Sequence, residues 1–207
     1  MKKIFFISFA LIFFHVVLFA QTVIGECTLE YSVTSLNGNK NFSGTTKTFY
    51  LKGKLTRTDI RSANFSQTII FNNATGNATI MKEIGSDKYI TPLTPNQWKK
   101  ENAQYEGMTF KETAESKVIL GYNCIKALVT LKDGSSFSYY FTKDIIPLAS
   151  ENSYQFKDAG GFVLAYEAKG PGGSKIIFTA TKINFDPVPA STFDIPSTGY
   201  RLLPYNQ

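Results

Sequence analysis

Histidine is almost missing from this chain: of 207 residues only His15 is one. It stands inside an N-terminal apolar run, so whatever follows that run carries no imidazole. Ser-His-Asp and Cys-His catalysis and His-ligated zinc are thereby excluded from the remainder. No Cys-x-x-Cys pair, His-Glu-x-x-His, Walker or dinucleotide-binding glycine pattern occurs, so neither cofactor nor metal is expected. Cysteine is limited to Cys27 and Cys124, and tryptophan to Trp98. Charge of one sign is also modest. The formal net charge is +6, and Lys2 and Lys3 at the extreme N-terminus supply part of it. The densest basic stretch, Lys47, Lys52, Lys54, Arg57 and Arg61, reads as a solvated strand face, or more sharply as weak attraction to anionic headgroups. Nothing resembles a basic-aromatic nucleic-acid module.

What is present begins with Lys2-Lys3, an apolar run from Ile4 to Phe19 broken only by Ser8 and His15, and the small residue Ala20. That pattern predicts a secretory signal peptide over 1–20 and a single domain over 21–207. The run is shorter than the roughly 20 apolar residues of a membrane span. A lipidated Cys27 is disfavoured by Glu26 directly before it. The expected product is exported to the periplasm or medium and soluble, with at most peripheral membrane contact. In an oxidising compartment the even cysteine count predicts a Cys27–Cys124 disulfide, with two buried free thiols as the alternative.

Strand signals dominate the rest. In Cys27–Leu36, Cys27, Leu29, Tyr31 and Val33 alternate with Thr28, Glu30, Ser32 and Thr34, the period of a half-buried strand. Further strands are predicted over 45–52, 54–61, 66–72, 78–84, 88–92, 109–115, 124–131, 136–142, 162–168 and 175–182. Turn signals at Asn37-Gly38-Asn39, Thr75-Gly76, Asp133-Gly134 and Gly172-Gly173 separate several of them. Residues 150–158 read as a loop. Thr94-Pro95 opens one short helix over 95–106, a capping residue followed by proline at the first helical position. The fold expected is mainly β, a strongly curved antiparallel sheet with one short helix carrying Trp98 against it.

Thirty aromatic residues, eleven Tyr, eighteen Phe and one Trp, suit either a packed core or an apolar binding face. The candidate ligand-binding residues are Trp98, Leu128, Phe137, Tyr139 and Phe141, between the concave sheet face and the helix. The inward direction of the strand residues is one of two possible alternations. Carboxylates such as Glu112 with Glu115, or Asp144 with Glu151, could serve a hydrolase, but their surroundings in the sequence are those of surface charges.

Four segments in order, Lys117-Val-Ile-Leu-Gly-Tyr-Asn-Cys-Ile-Lys-Ala, Tyr140-Phe-Thr-Lys-Asp-Ile, Gly161-Phe-Val-Leu-Ala-Tyr-Glu, and Phe193-Asp-Ile-Pro with Gly199-Tyr, carry a family likeness. The chain resembles an uncharacterised family of Bacteroidota envelope proteins of unknown function, themselves similar to LolA/LolB-like lipoprotein carriers. The resemblance implies a half-barrel sheet around a short helix with an apolar cavity, and it supplies no catalytic residues. Two functions follow as expectations: a binding module for lipid, lipoprotein or another apolar ligand, or a structural or interaction protein of the envelope with a filled core. A carboxylate-based hydrolase is the lesser alternative.

Overall fold

A computed structural model describes residues 21–35, 44–170 and 173–205. The N-terminal segment read as a signal, the Asn37-Gly38-Asn39 turn and Gly172 lie outside the described residues. In chain order the strands are β1 (Thr22–Ile24), β2 (Glu26–Ser35), β3 (Thr46–Lys52), β4 (Leu55–Arg61), β5 (Phe65–Asn72), β6 (Ala78–Ile84) and β7 (Asp87–Leu93). The helix α1 (Pro95–Glu101) follows, then β8 (Thr109–Ile119), β9 (Tyr122–Thr130), β10 (Ser136–Thr142), β11 (Ile145–Pro147), β12 (Phe162–Lys169), β13 (Lys175–Asn184) and β14 (Arg201–Leu202).

Twelve of these strands form one open sheet in the order β14-β7-β6-β5-β4-β3-β2-β13-β12-β10-β9-β8. Its pairings are antiparallel, apart from the short β14, which runs parallel to β7. β1 and β11 make a separate parallel pair. The architecture is the mainly β sheet with one short helix that the alternation implied. The short strands β1, β11 and β14 were not readable because two or three apolar or mixed residues carry no period.

The sheet curls. Phe49 on β3 and Phe162 on β12 lie three strand steps apart, about 14 Å in a flat sheet. Their ring centroids are nonetheless 6.4 Å apart. On the concave side Leu29, Tyr31, Phe49, Leu51, Val129, Tyr139, Phe141, Tyr166 and Phe178 belong to one buried cluster. The opposite face of β5 and β6 is covered by the C-terminal segment, whose Val188 and Phe193 pack on Ile70 and Met81. Arg57 ties that segment down by donating to the Thr192 carbonyl at 2.6 Å while pairing with Asp59 at 2.8 Å.

The helix begins where its sequence says it should. Thr94 Oγ1 accepts from the Gln97 amide, and the Gln97 side chain accepts from the Thr94 amide at 2.8 Å, a reciprocal cap. It is shorter than the expected 95–106. Asn102 turns its side-chain amide back onto the Trp98 carbonyl at 2.9 Å, local bonding that competes with helix continuation. Residues 103–105 then form a tight 3₁₀ turn.

The expected Cys27–Cys124 disulfide is not formed: both residues are free thiols and fully buried. The strand order explains why. Cys27 is on β2 and Cys124 on β9, with β13, β12 and β10 between them. The two cysteines therefore stand on strands that do not pair, and no strand register brings them opposite one another. Burial pushes the Cys27 thiol up to about 12 and the Cys124 thiol up to about 11.

Candidate binding site

Two features share the concave face: an open cavity at one end and a buried charge near the middle. The cavity measures about 770 Å³. Its walls come from the β9–β10 turn, the facing ends of β12 and β13, the 3₁₀ turn, and Gln155. Its apolar floor is Tyr105, Leu131, Phe137 and Ala168. Tyr105 stands edge-on to Phe137 with centroids 6.1 Å apart. Burial raises the Tyr105 hydroxyl above its ordinary value.

The rim is polar but internally balanced. Glu167 accepts from the Ser138 amide at 3.1 Å and pairs with Lys175 at 3.0 Å. Asp133 accepts from the Ser135 hydroxyl at 2.6 Å and amide at 2.9 Å, and these bonds hold its carboxyl below the usual range. Gln104 and Gln155 add side-chain amides. The arrangement suits a ligand that seats an apolar part on the two rings.

Of the residues read from sequence, Phe137 lines this cavity. Tyr139 and Phe141 share its face, fully buried behind it, with the Tyr139 ring 6.4 Å from Phe137 and 5.9 Å from Phe141. Leu128 is placed on the other face. It pairs with Ser138, out of phase with Phe137 and Tyr139, and is 42% exposed. Trp98 is not brought to the cavity. It is buried with Phe71, Ala78 and Leu93 in a separate cluster, its ring 5.5 Å from Phe71.

The second feature was missed by the sequence reading. Lys47, taken there as part of a solvated face, is buried, with its side chain wholly out of solvent. The signal existed: Lys47 is in phase with Phe49 and Leu51 on β3. Its ammonium lies over three rings, 4.5 Å from Tyr31, 4.3 Å from Tyr166 and 4.5 Å from Phe178. It donates to the Tyr166 hydroxyl and forms an ion pair with Glu151. Tyr166 donates in turn to Glu151 Oε1 at 3.2 Å, and Tyr31 to Glu151 Oε2 at 3.4 Å. Desolvation holds the Lys47 pKa below its ordinary value, opposed by the Glu151 charge. Both tyrosines are pushed well above theirs, by burial first and by Glu151 second.

Glu151 reaches Lys47 from residues 148–161, a strap laid across the concave face rather than a sheet strand. Phe156 of the strap inserts between Tyr139 and Tyr166, with centroids at 5.5 and 5.1 Å. Asn152 caps the strap's own turn through the Tyr154 and Gln155 amides and donates to Asn102 at 2.9 Å, tying it to the end of α1. The loop over 150–158 is therefore a loop, but one that fills the middle of the concave face. Two of the other carboxylates weighed for hydrolysis are also paired with lysines, Glu112 with Lys143 at 2.9 Å and Glu115 with Lys126 at 2.8 Å.

No family model matches the chain. No curated protein matches it either. Among solved structures, PNGF-II in its P21 crystal form overlays with a TM-score of 0.53 and 15% identity, covering 87% of this chain and 32% of PNGF-II. MucB overlays with a TM-score of 0.43 and 12% identity, covering 84% of this chain and 58% of MucB. A LolA-superfamily protein from Nitrosomonas europaea, NE2245, gives a TM-score of 0.19 and 8% identity over 82% of this chain and 89% of that one. The chain thus spans about a third of PNGF-II and under two thirds of MucB. At these identities what is shared with PNGF-II is the fold of one portion of a longer protein.

Proposed function

We propose that the chain is a non-enzymatic, exported binding module for an amphipathic small ligand, with the apolar part of the ligand seated on Tyr105 and Phe137. The observation that carries this reading is the cavity of about 770 Å³, in which Tyr105, Leu131, Phe137 and Ala168 lie within a polar rim that includes Gln104, Gln155 and the Glu167–Lys175 pair. Small-ligand sites combine an apolar lining with a few placed polar groups, and their volumes fall in this range. The N-terminal stretch Met1–Ala20, read as a signal peptide, supports export. Among the described helices none is long and apolar enough to cross a membrane. The envelope-family likeness of the Gly121-Tyr-Asn-Cys-Ile-Lys-Ala and Tyr140-Phe-Thr-Lys-Asp-Ile segments points to the same compartment.

Titration with a fluorescent acyl probe tests the reading. Saturable binding, weakened about tenfold or more by Phe137→Ala in protein that stays folded, is the expected result. Probe uptake unaffected by Phe137→Ala, or no saturable uptake, would overturn it. One observation favours the second reading, an envelope interaction protein with a filled core: Glu151 and Phe156 of the strap already occupy the centre of the concave face. Absence of any saturable small ligand would leave that reading in place.

A further inference from the structure

Lys47 is the residue whose placement is hardest to explain by folding alone. A buried ion pair is often no more stabilising than apolar side chains of the same volume, so a methionine in phase with Phe49 and Leu51 would serve the core as well. The site is also divided in an unusual way. The ammonium and the hydroxyls of Tyr31 and Tyr166 stand on three strands of the sheet, β3, β2 and β12. The carboxylate that satisfies them comes from outside the sheet. Glu151 is 13% exposed where Lys47 is wholly buried. A gap of about 10 Å³ beside it, bordered by Tyr31, Glu151, Phe156 and Phe162, marks imperfect filling on the solvent side.

The cage is also joined to the cavity. Gln155 lines the cavity, and its neighbour Phe156 is the residue standing against Tyr166. Phe137, Tyr139, Phe156 and Tyr166 form an unbroken chain of ring contacts from the cavity floor to the ammonium. An apolar chain would follow such a path, and a preformed cation at its end selects a carboxylate.

We propose that Lys47, Tyr31 and Tyr166 form a carboxylate-binding site that Glu151 fills in this structure, and that the amphiphile taken by the adjacent cavity is a long-chain fatty acid whose carboxylate replaces Glu151. The proposal rests on the binding-module reading and adds the head group to it. Displacement exchanges one carboxylate for another on the same donors, so the ammonium is never left unpaired. The strap segment around Phe156 moves aside for the chain.

The test compares palmitate with 1-hexadecanol, a neutral amphiphile of the same chain length, by calorimetric titration. The unmodified protein binds palmitate about tenfold or more tightly than hexadecanol, the difference one ion pair contributes. Lys47→Met abolishes that preference, and Glu151→Gln, which removes the internal competitor, tightens palmitate binding. Equal affinity for the two ligands in the unmodified protein would overturn the carboxylate site and leave the binding module standing. Binding of neither would overturn both. The unmodified-protein comparison decides the matter even if a variant fails to fold, and a palmitate preference that survives in folded Lys47→Met would also refute the assignment.

Discussion

Glu151→Gln should destabilise the protein by about 3 kcal/mol at neutral pH, the lower end of what breaking a buried pair costs. The substitution keeps the volume and removes the charge opposite a lysine with no solvent contact. Two features hold the loss below the upper end. The three rings around Lys47 still attract the ammonium, an interaction of about 2 kcal/mol when desolvated. Glu151 also sits at a partly exposed rim. Replacing both partners, Lys47→Met with Glu151→Leu, should return stability to within about 1 kcal/mol of the parent or above it, because no charge is left buried. Urea unfolding of the four proteins at constant m-value supplies the double-mutant cycle. The pH dependence has a definite sign. Burial lowers the Lys47 pKa in the folded state, so above that pKa and up to its ordinary value the unfolded chain holds the extra proton. Stability from this group therefore rises with pH in that window. Removing Glu151 takes away the charge that opposes the lowering, which opens the window at lower pH, and the Glu151→Gln deficit should shrink from pH 7 to pH 9. A deficit under about 0.5 kcal/mol, or one that grows with pH, would refute a buried charged lysine at this position.

Three further outcomes follow from the packing. Cys27 and Cys124 should resist alkylation at pH 8 in the native protein and both label after unfolding without reductant, since burial pushes them to about 12 and about 11; a mass that shows no label until reduction would restore the disulfide. Trp98→Ala should cost about 3–5 kcal/mol in chemical unfolding, because the ring is buried against Phe71, yet leave acyl-probe affinity unchanged in protein that stays folded; weakened binding would mean the ligand site extends to α1. Leu120→Asn should raise stability by about 0.5–1 kcal/mol, because Leu120 and Gly121 have φ of 52° and 84° in the β8–β9 hairpin, where Asn-Gly is the favoured pair; a lower unfolding midpoint would show that the Leu120 side chain contributes more than its backbone costs.

The parts legible in the sequence were those set by local period and local capping. Cys27, Leu29 and Tyr31 alternate inward as read, and Thr94-Pro95 starts the helix as read. Contacts set by strand order were not legible. The two cysteines were paired on their even count alone and sit four strand steps apart, because nothing local says that β2 pairs with β13 rather than with β9. Leu128 went to the wrong face for a related reason. Cys124–Leu131 is apolar on both phases, so hydrophobicity alone gives no choice, and it is the pairing with Ser138 that fixes the side. Trp98 was correctly tied to the sheet, but its cluster on Phe71 is separate from the one holding Tyr139.

Lys47 shows how such a reading can be turned toward function. Its phase with Phe49 and Leu51 was visible, and so was the conflict of a lysine at an inward position. Its charge favours the surface and its phase the interior, and the fold follows the phase. Where local rules disagree in an otherwise consistent sequence, the disagreement tends to mark a site that the fold maintains against its own stability. Here the physical consequence is specific. An inward lysine on a central strand requires an anion, and no neighbouring strand position supplies one: Tyr31 and Ile60 flank it in register. The anion has to come from a segment that crosses the concave face, which is where Glu151 lies and where a ligand entering beside Phe137 would arrive. The same geometric need that makes the strap part of the fold makes its carboxylate replaceable, and the palmitate and hexadecanol comparison measures whether the sheet distinguishes the two sources.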